Sequence, residues 1–168
     1  MVLIGLGIVL GYMGWIYWPE IIGAGWSPTP IKNVKKMLEM AKVGKDDVVY
    51  DLGCGDGRII AMAAGEFDAR AVGIEADPLR FLFSFVRVKV FSRGKAKVVW
   101  GNFFHKNLRK ATVVTVFLSN EVNSKLKEKL KRELSSGTRV ISYYWVFDGW
   151  EIVKSNSSSR LYMYKIEN

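Results

Sequence analysis

Apolar positions along most of this chain come in short β-rich runs separated by stretches of helical period, the alternation that builds a parallel sheet covered on both faces. Runs at 48–51, 71–75, 97–100, 112–118, 138–145, 150–153 and 161–166 predict strands. The intervals 31–41, 58–66, 78–91 and 122–134 predict helices, the first with apolar residues at 31, 34, 37, 38 and 41 and lysines on its other face. Short turns, Asp148-Gly149 and the serine-rich 155–159, join the last three strands, so the sheet is expected to end in an antiparallel hairpin. The fold class expected is α/β, a Rossmann-like and mostly parallel sheet.

Ahead of this pattern lies a different one. Residues 2–18 hold no charge, and the apolar character runs on to Ala24. About 20 apolar residues cross a bilayer core, and Trp15, Tyr17, Trp18 and Trp26 stand where an interfacial aromatic belt belongs. A cleaved signal peptide would carry a basic leading region and a small-x-small site, both missing here. The expectation is a transmembrane anchor over 1–26 and one α/β domain over 27–168. Lys32, Lys35 and Lys36 follow the span, which predicts single-pass membrane localisation with the domain on the cytoplasmic side. Gly7 and Gly11 form one GxxxG pair, which leaves a homodimer open.

The length of 168 residues holds one catalytic domain, not two. A single cysteine, Cys54, excludes intrachain disulfides and a thiolate metal cage, and no metal is expected. The net charge of +9 is uneven: residues 20–78 are net −3, residues 79–139 carry 15 basic and 3 acidic side chains, and residues 140–168 balance. A basic middle suits an anionic partner, nucleic acid or an anionic lipid surface.

The chemistry concentrates where the first strand runs into Asp51-Leu52-Gly53-Cys54-Gly55-Asp56-Gly57-Arg58. Glycines there turn the backbone sharply and bring it against a ligand, and the following helix offers unpaired N–H groups. Glu75 ends the second strand 20 residues after Gly55, where a carboxylate can accept both hydroxyls of a ribose. The ligand expected is a nucleoside. The D-x-G-x-G-x-G spacing resembles motif I of class I S-adenosylmethionine methyltransferases, which implies S-adenosylmethionine as cofactor and Asp51, Gly53, Gly55, Asp56 and Glu75 as its holders. By the same resemblance, Gly101-Asn102-Phe103-Phe104 stands where adenine is bound, with Asn102 and Phe103 as candidates and core packing the alternative for Phe103 and Phe104.

From Pro28 to the last strand the chain resembles the small archaeal protein-lysine methyltransferases, whose eukaryotic relatives are membrane-anchored mitochondrial enzymes. The matching stretches are Pro28-Thr29-Pro30, Asp51 to Ile60, Ala71 to Glu75, Gly101 to Phe104, Ala111 to Leu118, Asn123, Leu134 to Ser142 and Gly149-Trp150. The resemblance implies transfer of methyl to a lysine amine of a protein, a membrane-associated one by analogy. It also points to Thr29 as a cofactor contact, with a helix cap as the alternative. Where the family tends to be polar or charged after the fifth strand this chain has Tyr143, Tyr144 and Trp145, and after the fourth it has Ser119-Asn120-Glu121, less apolar than is usual there. Tyr143, Tyr144 and Asn120 are the candidate catalytic residues, the tyrosine faces suited to a methylated cation.

The predicted helix 78–91 is apolar on two sides. Leu79, Leu82, Phe83, Val86 and Val90 form the face assigned to the sheet. Phe81, Phe85 and Val88, with Arg80 and Arg87 beside them, are left for an anionic lipid surface or a dimer interface. RNA is the alternative substrate, drawn by the basic middle; lipid or small-molecule amines stay open, DNA is not expected, and a non-catalytic cofactor-binding module is the reading from another class. His105 reads as a surface residue.

Overall fold

The computed structural model describes residues 27–167. Seven strands form one sheet in the order β3-β2-β1-β4-β5-β7-β6. The strands are β1 (Val48–Leu52), β2 (Arg70–Glu75), β3 (Ala96–Trp100), β4 (Val113–Val116), β5 (Arg139–Tyr143), β6 (Lys154–Asn156) and β7 (Leu161–Lys165). The first five are parallel; β7 runs antiparallel between β5 and β6. The helices are α1 (Ile31–Met40), α2 (Arg58–Gly65), α3 (Pro78–Phe91) and α4 (Asn120–Glu133). Strand order reverses at β1, whose neighbours are β2 and β4, so a ligand crevice is expected beyond the carboxyl ends of β1 and β4.

The two-residue period of the strands sorts the core into two layers. Val49, Ala71, Val113 and Ile141 meet Val34, Met37 and Leu38 of α1, Ile60, Ala63 and Ala64 of α2 and Val88 of α3. Their alternates Leu52, Ile74, Val114, Val116 and Val140 meet Leu126 and Leu130 of α4, with Phe147 and Tyr164 closing that side. The lysine-rich α4 buries Lys129 as well, paired with Glu133 at 2.6 Å one turn on.

Three expectations need correction. No strand forms at 150–153; the edge strand is Lys154–Asn156, overlapping the start of the stretch assigned to a serine loop, and a 3₁₀ turn follows at Ser157–Ser159. Trp150 instead stacks on Phe147 with ring centroids 5.0 Å apart, a packing role that draws the segment out of the sheet. Single-pass membrane localisation is the second: among the described residues no helix is long and apolar enough to cross a membrane. The anchor assigned to 1–26 lies outside the described residues.

The third correction concerns α3, which is rotated from the orientation its apolar pattern predicts. Ser84 and Val88 are buried and Phe81 is half-buried, whereas Leu79, Leu82, Phe83, Val86 and Val90 face out, with Phe83 and Val90 each 65% exposed. Close approach of α3 to the loop and helix beside it sets the rotation. A Cβ on Gly57 would lie 2.9 Å from Ser84 Cβ, and one on Gly65 would lie 2.5 Å from the Phe91 carbonyl oxygen. A small residue must therefore face Gly57, and Ser84 is the one small side chain inside α3. Arg87 is drawn to the same side by Asp56 at 3.0 Å. Of the residues assigned to a lipid or dimer contact, Phe85 is exposed, Val88 is core, and Phe81, Arg80 and Arg87 are half-buried.

Gly65→Ala tests this packing. In a helix the exchange ordinarily stabilises by up to about 1 kcal/mol, but here the methyl meets a carbonyl, so a loss of about 1–3 kcal/mol is expected in urea unfolding.

Candidate active site

The loop from β1 to α2 crosses the carboxyl end of β2, where the Gly53 and Cys54 N–H groups donate to the Ile74 carbonyl at 2.9 and 3.0 Å. Gly53, Gly55 and Gly57 all have positive φ, a conformation that favours glycine. Glu75 holds the turn: its Oε2 accepts the Gly55 N–H at 2.8 Å and its Oε1 the Asp77 N–H at 2.9 Å. Asp77 in turn caps α3, its Oδ1 accepting the Arg80 N–H at 2.9 Å. One buried carboxylate thus ties the glycine loop to the start of α3.

A cavity of ≈ 340 Å³ opens over this loop at the strand-order reversal. Of the sequence-predicted cofactor residues, Thr29, Asp51, Gly53, Gly55, Asp56, Glu75, Asn102 and Phe103 all line it. Asn102 Oδ1 accepts the Phe104 N–H at 2.9 Å, capping a 3₁₀ turn (Phe103–His105) that seats the two phenylalanine rings 4.8 Å apart. Thr29 is buried in the wall and caps nothing; α1 has Pro30 as its cap, without a side-chain bond. His105 is exposed on the 3₁₀ turn.

The candidate catalytic residues stand apart from the cavity lining. Tyr143 packs edge-on against Phe117, centroids 4.6 Å apart, and its hydroxyl accepts from Asn33 Nδ2 at 3.3 Å. Tyr144 has φ of 72° and carries the Arg160 guanidinium 4.3 Å from its ring centre, so that face is occupied. Asn120 is exposed at the first turn of α4 and accepts the Ser124 hydroxyl on its carbonyl at 2.9 Å.

Phe117, Leu118 and Arg58 line the cavity without having been picked out from the sequence. The first two follow β4, and the strand-order reversal would have pointed to them. Arg58 binds Asp56 through Nε at 2.9 Å and Nη2 at 2.7 Å, and its Nη1 reaches the Thr29 carbonyl at 2.9 Å. Asp56 therefore meets two arginines, Arg58 and Arg87, and its carboxylate serves the walls of the site. Burial alone would raise the Asp56 carboxyl, but those two guanidiniums hold it below the usual range.

Asp51 and Glu75 both shift the other way from Asp56. Burial pushes Asp51 up to about 7, with Glu75 and Asp56 adding repulsion and a 2.8 Å bond from the Thr115 hydroxyl opposing it. Burial raises Glu75 too, against the two backbone N–H groups it accepts. The Cys54 thiol is pushed well up, first by burial and then by Asp51 and Glu75, which leaves it protonated and unreactive at neutral pH.

The residues fit S-adenosylmethionine. Each Glu75 oxygen accepts one N–H and keeps capacity for a ribose hydroxyl. Asp51 puts a carboxyl in the cavity wall that would suit a cationic ligand, and Phe103 and Phe104 an apolar wall that would suit a base.

Comparison with known proteins bears on the same region. Residues 51–154 match the ANTKMT methyltransferase domain family. A protein-lysine N-methyltransferase of Saccharolobus islandicus is 47% identical over 83% of this chain and 91% of its own. An adenine nucleotide translocase lysine N-methyltransferase of mouse is 31% identical over 84% of this chain and 62% of its own length, so the chain spans only part of that relative. Among solved structures, an RNA methyltransferase of Salinibacter ruber bound to S-adenosyl-L-homocysteine superposes with a TM-score of 0.82 at 36% identity, over 84% of this chain and 95% of that one.

Asp51→Asn tests the electrostatics. Folding raises the Asp51 value, so its contribution favours the cofactor-free fold at low pH and is lost as pH rises through about 7. Cofactor-free protein is expected to gain up to about 1.4 kcal/mol per pH unit from this group as pH falls from 7 towards 5. Unfolding of the variant followed across the same range loses that slope. With the cavity, its carboxylate pair and these matches together, the chain is a class I S-adenosylmethionine-dependent methyltransferase and belongs to the ANTKMT methyltransferase domain family.

Proposed function

We propose that this enzyme methylates the side-chain amine of a lysine in a protein. The observation that carries the reading is a line of aromatic rings leading from the cavity to the surface. Phe117 lines the cavity, Tyr143 packs on Phe117 at 4.6 Å, Tyr144 on Tyr143 at 6.5 Å and Trp145 on Tyr144 at 4.9 Å. A lysine has a four-carbon apolar stem and a cationic tip, and such a wall suits both parts. The name of the 47% identical archaeal relative supports the same substrate class.

When bound, S-adenosylmethionine would supply a methyl group on a sulfonium, to be taken in line by a neutral amine as the carbon–sulfur bond breaks and the thioether S-adenosylhomocysteine leaves. The protein's part is to hold, orient and dry the reactants, an effect that can reach about 7–11 kcal/mol. Glu75 accepts the ribose hydroxyls. Asn102, its carboxamide oxygen spent on the Phe104 N–H, offers its amide nitrogen to the base, and Phe103 flanks it. Asp51 faces the cationic end, and Thr29 closes over the loop, its carbonyl held by Arg58. The lysine must shed a proton first, since an ammonium has no lone pair, and the Phe117 and Tyr143 rings lower its pKa by keeping water off. Tyr143, packed on Phe117 with Asn33 steadying its hydroxyl, is the tyrosine we assign to the amine. Tyr144, held by Arg160, shapes the rim, and Asn120 meets the substrate protein outside.

For the substrate we propose a membrane-associated protein, since animal relatives at 30–31% identity are named for a component of ATP synthase and for the adenine nucleotide translocase. RNA is the second reading, supported by the name of the 36% identical structural neighbour.

Methyl-labelled cofactor incubated with separated host protein and RNA fractions distinguishes them. Label in protein, mapped to lysine and absent with Glu75→Ala, is expected; label in RNA alone rejects the lysine reading. Phe117→Ala and Tyr143→Ala should each lower kcat/KM for the protein substrate at least about tenfold by loosening its alignment. Tyr143→Ala should leave cofactor Kd within about twofold, because Tyr143 lies outside the cavity lining.

A further inference from the structure

The rotation of α3 leaves a surface that methyl transfer does not use. Leu79, Leu82, Phe83, Val86 and Val90 recur at the i, i+3, i+4, i+7 and i+11 positions of one helix and are all exposed, with Phe85 exposed beside them. A surface helix normally turns its apolar stripe inward. Here the stripe faces out because the Gly57–Ser84 contact and the Asp56–Arg87 pair fix the opposite side.

Its surroundings bear on what could cover it. From Pro78 to Asn120 the chain carries nine lysines and arginines and no aspartate or glutamate. The nine cations all fall between Arg80 and Lys110, the stretch that holds α3, the edge strand β3 and the 3₁₀ turn, and of the carboxylates beside it Asp56 is paired with Arg87 and Asp68 with Lys95. On the helix itself Lys89 borders the stripe on one side, its ammonium 5.5 Å from the Phe85 ring centre, and Arg87 borders it on the other. Arg93 follows just past the end of the helix and is exposed.

We propose that the outward face of α3 docks on an anionic lipid bilayer, with Leu79, Leu82, Phe83, Val86 and Val90 below the headgroups and Lys89 and Arg93 among the phosphates. Apolar burial and attraction to anionic lipid act together in such a contact. A second copy of the chain would set one carboxylate-free basic segment against another. A nucleic acid would match the cations and leave five large apolar side chains in contact with phosphate and water. A lipid surface meets both features at once. Arg80 opens α3 and also lines the cavity, so this docking brings the mouth of the active site next to the bilayer.

The test reads the helix face itself in the full-length protein. An environment-sensitive fluorophore is placed at Val86→Cys or, as a control on the far side of the sheet, at Glu128→Cys; Cys54 is buried and escapes labelling. Vesicles of phosphatidylcholine with phosphatidylserine should move the probe at 86 to an apolar environment and leave the one at 128 unchanged, while phosphatidylcholine alone has little effect. Adding Lys89→Glu and Arg93→Glu to the Val86→Cys protein should raise the anionic lipid needed at least about tenfold. No response at 86 overturns the proposal. So does a response without lipid, whether it grows with protein concentration, which means a second copy, or does not, which means another part of the chain covers the face. A response to RNA in place of vesicles overturns it as well.

Discussion

The Glu75 carboxylate is the constraint on which the site depends. It is buried, and its two oxygens each accept one backbone N–H, from Gly55 in the loop after β1 and from Asp77 at the start of α3. Burying a carboxylate is costly unless it is hydrogen-bonded, and here the compensating bonds are the ones that shape the ligand loop. Loop, strand end and helix start are fixed together by one side chain, which keeps acceptor capacity for the cofactor. The same desolvation that raises Glu75 and Asp51 makes their negative charge more effective towards a cationic ligand.

A second tie organises the walls. Asp56 gathers Arg58 and Arg87, and Arg58 extends to the Thr29 carbonyl, so α2, α3 and the segment before α1 meet at one carboxylate. Losing either arginine would leave a half-buried charge with one partner fewer, and the wall would loosen before the core did. Asp56 stands in the motif as a ligand-loop residue, yet its bonds run to the scaffold. The motif therefore contains two kinds of residue, those that face the ligand and those that hold the facing ones still.

These ties also explain the surface of α3. With Ser84 pressed against Gly57 and Arg87 drawn to Asp56, the helix has no freedom to turn its larger apolar stripe inward. Geometry at the ligand loop thus dictates which residues a helix some turns long presents outward, and function at one place is linked to exposure at another.

Much of the architecture is legible from the chain alone, because strand and helix periods are local and the β1 motif carries its own spacing. The parallel sheet, its antiparallel end and the cavity residues Asp51, Gly53, Gly55 and Glu75 follow from local periods and motif spacing, and Asn102 from the resemblance to the methyltransferases. What sequence reading assigned otherwise depends on contacts between distant segments. The wheel of residues 78–91 offers two apolar faces, and hydrophobicity favours the larger; the choice was made by glycines at 57 and 65, invisible to a count of apolar positions. Arg58 and Phe117 likewise acquire their places only when β1 and β4 come to lie side by side. Local pattern determined most of the elements and the glycine loop that lines the cavity, while tertiary structure decided which faces they show, because steric fit between backbones acts at closer range than the preference of a side chain for oil over water.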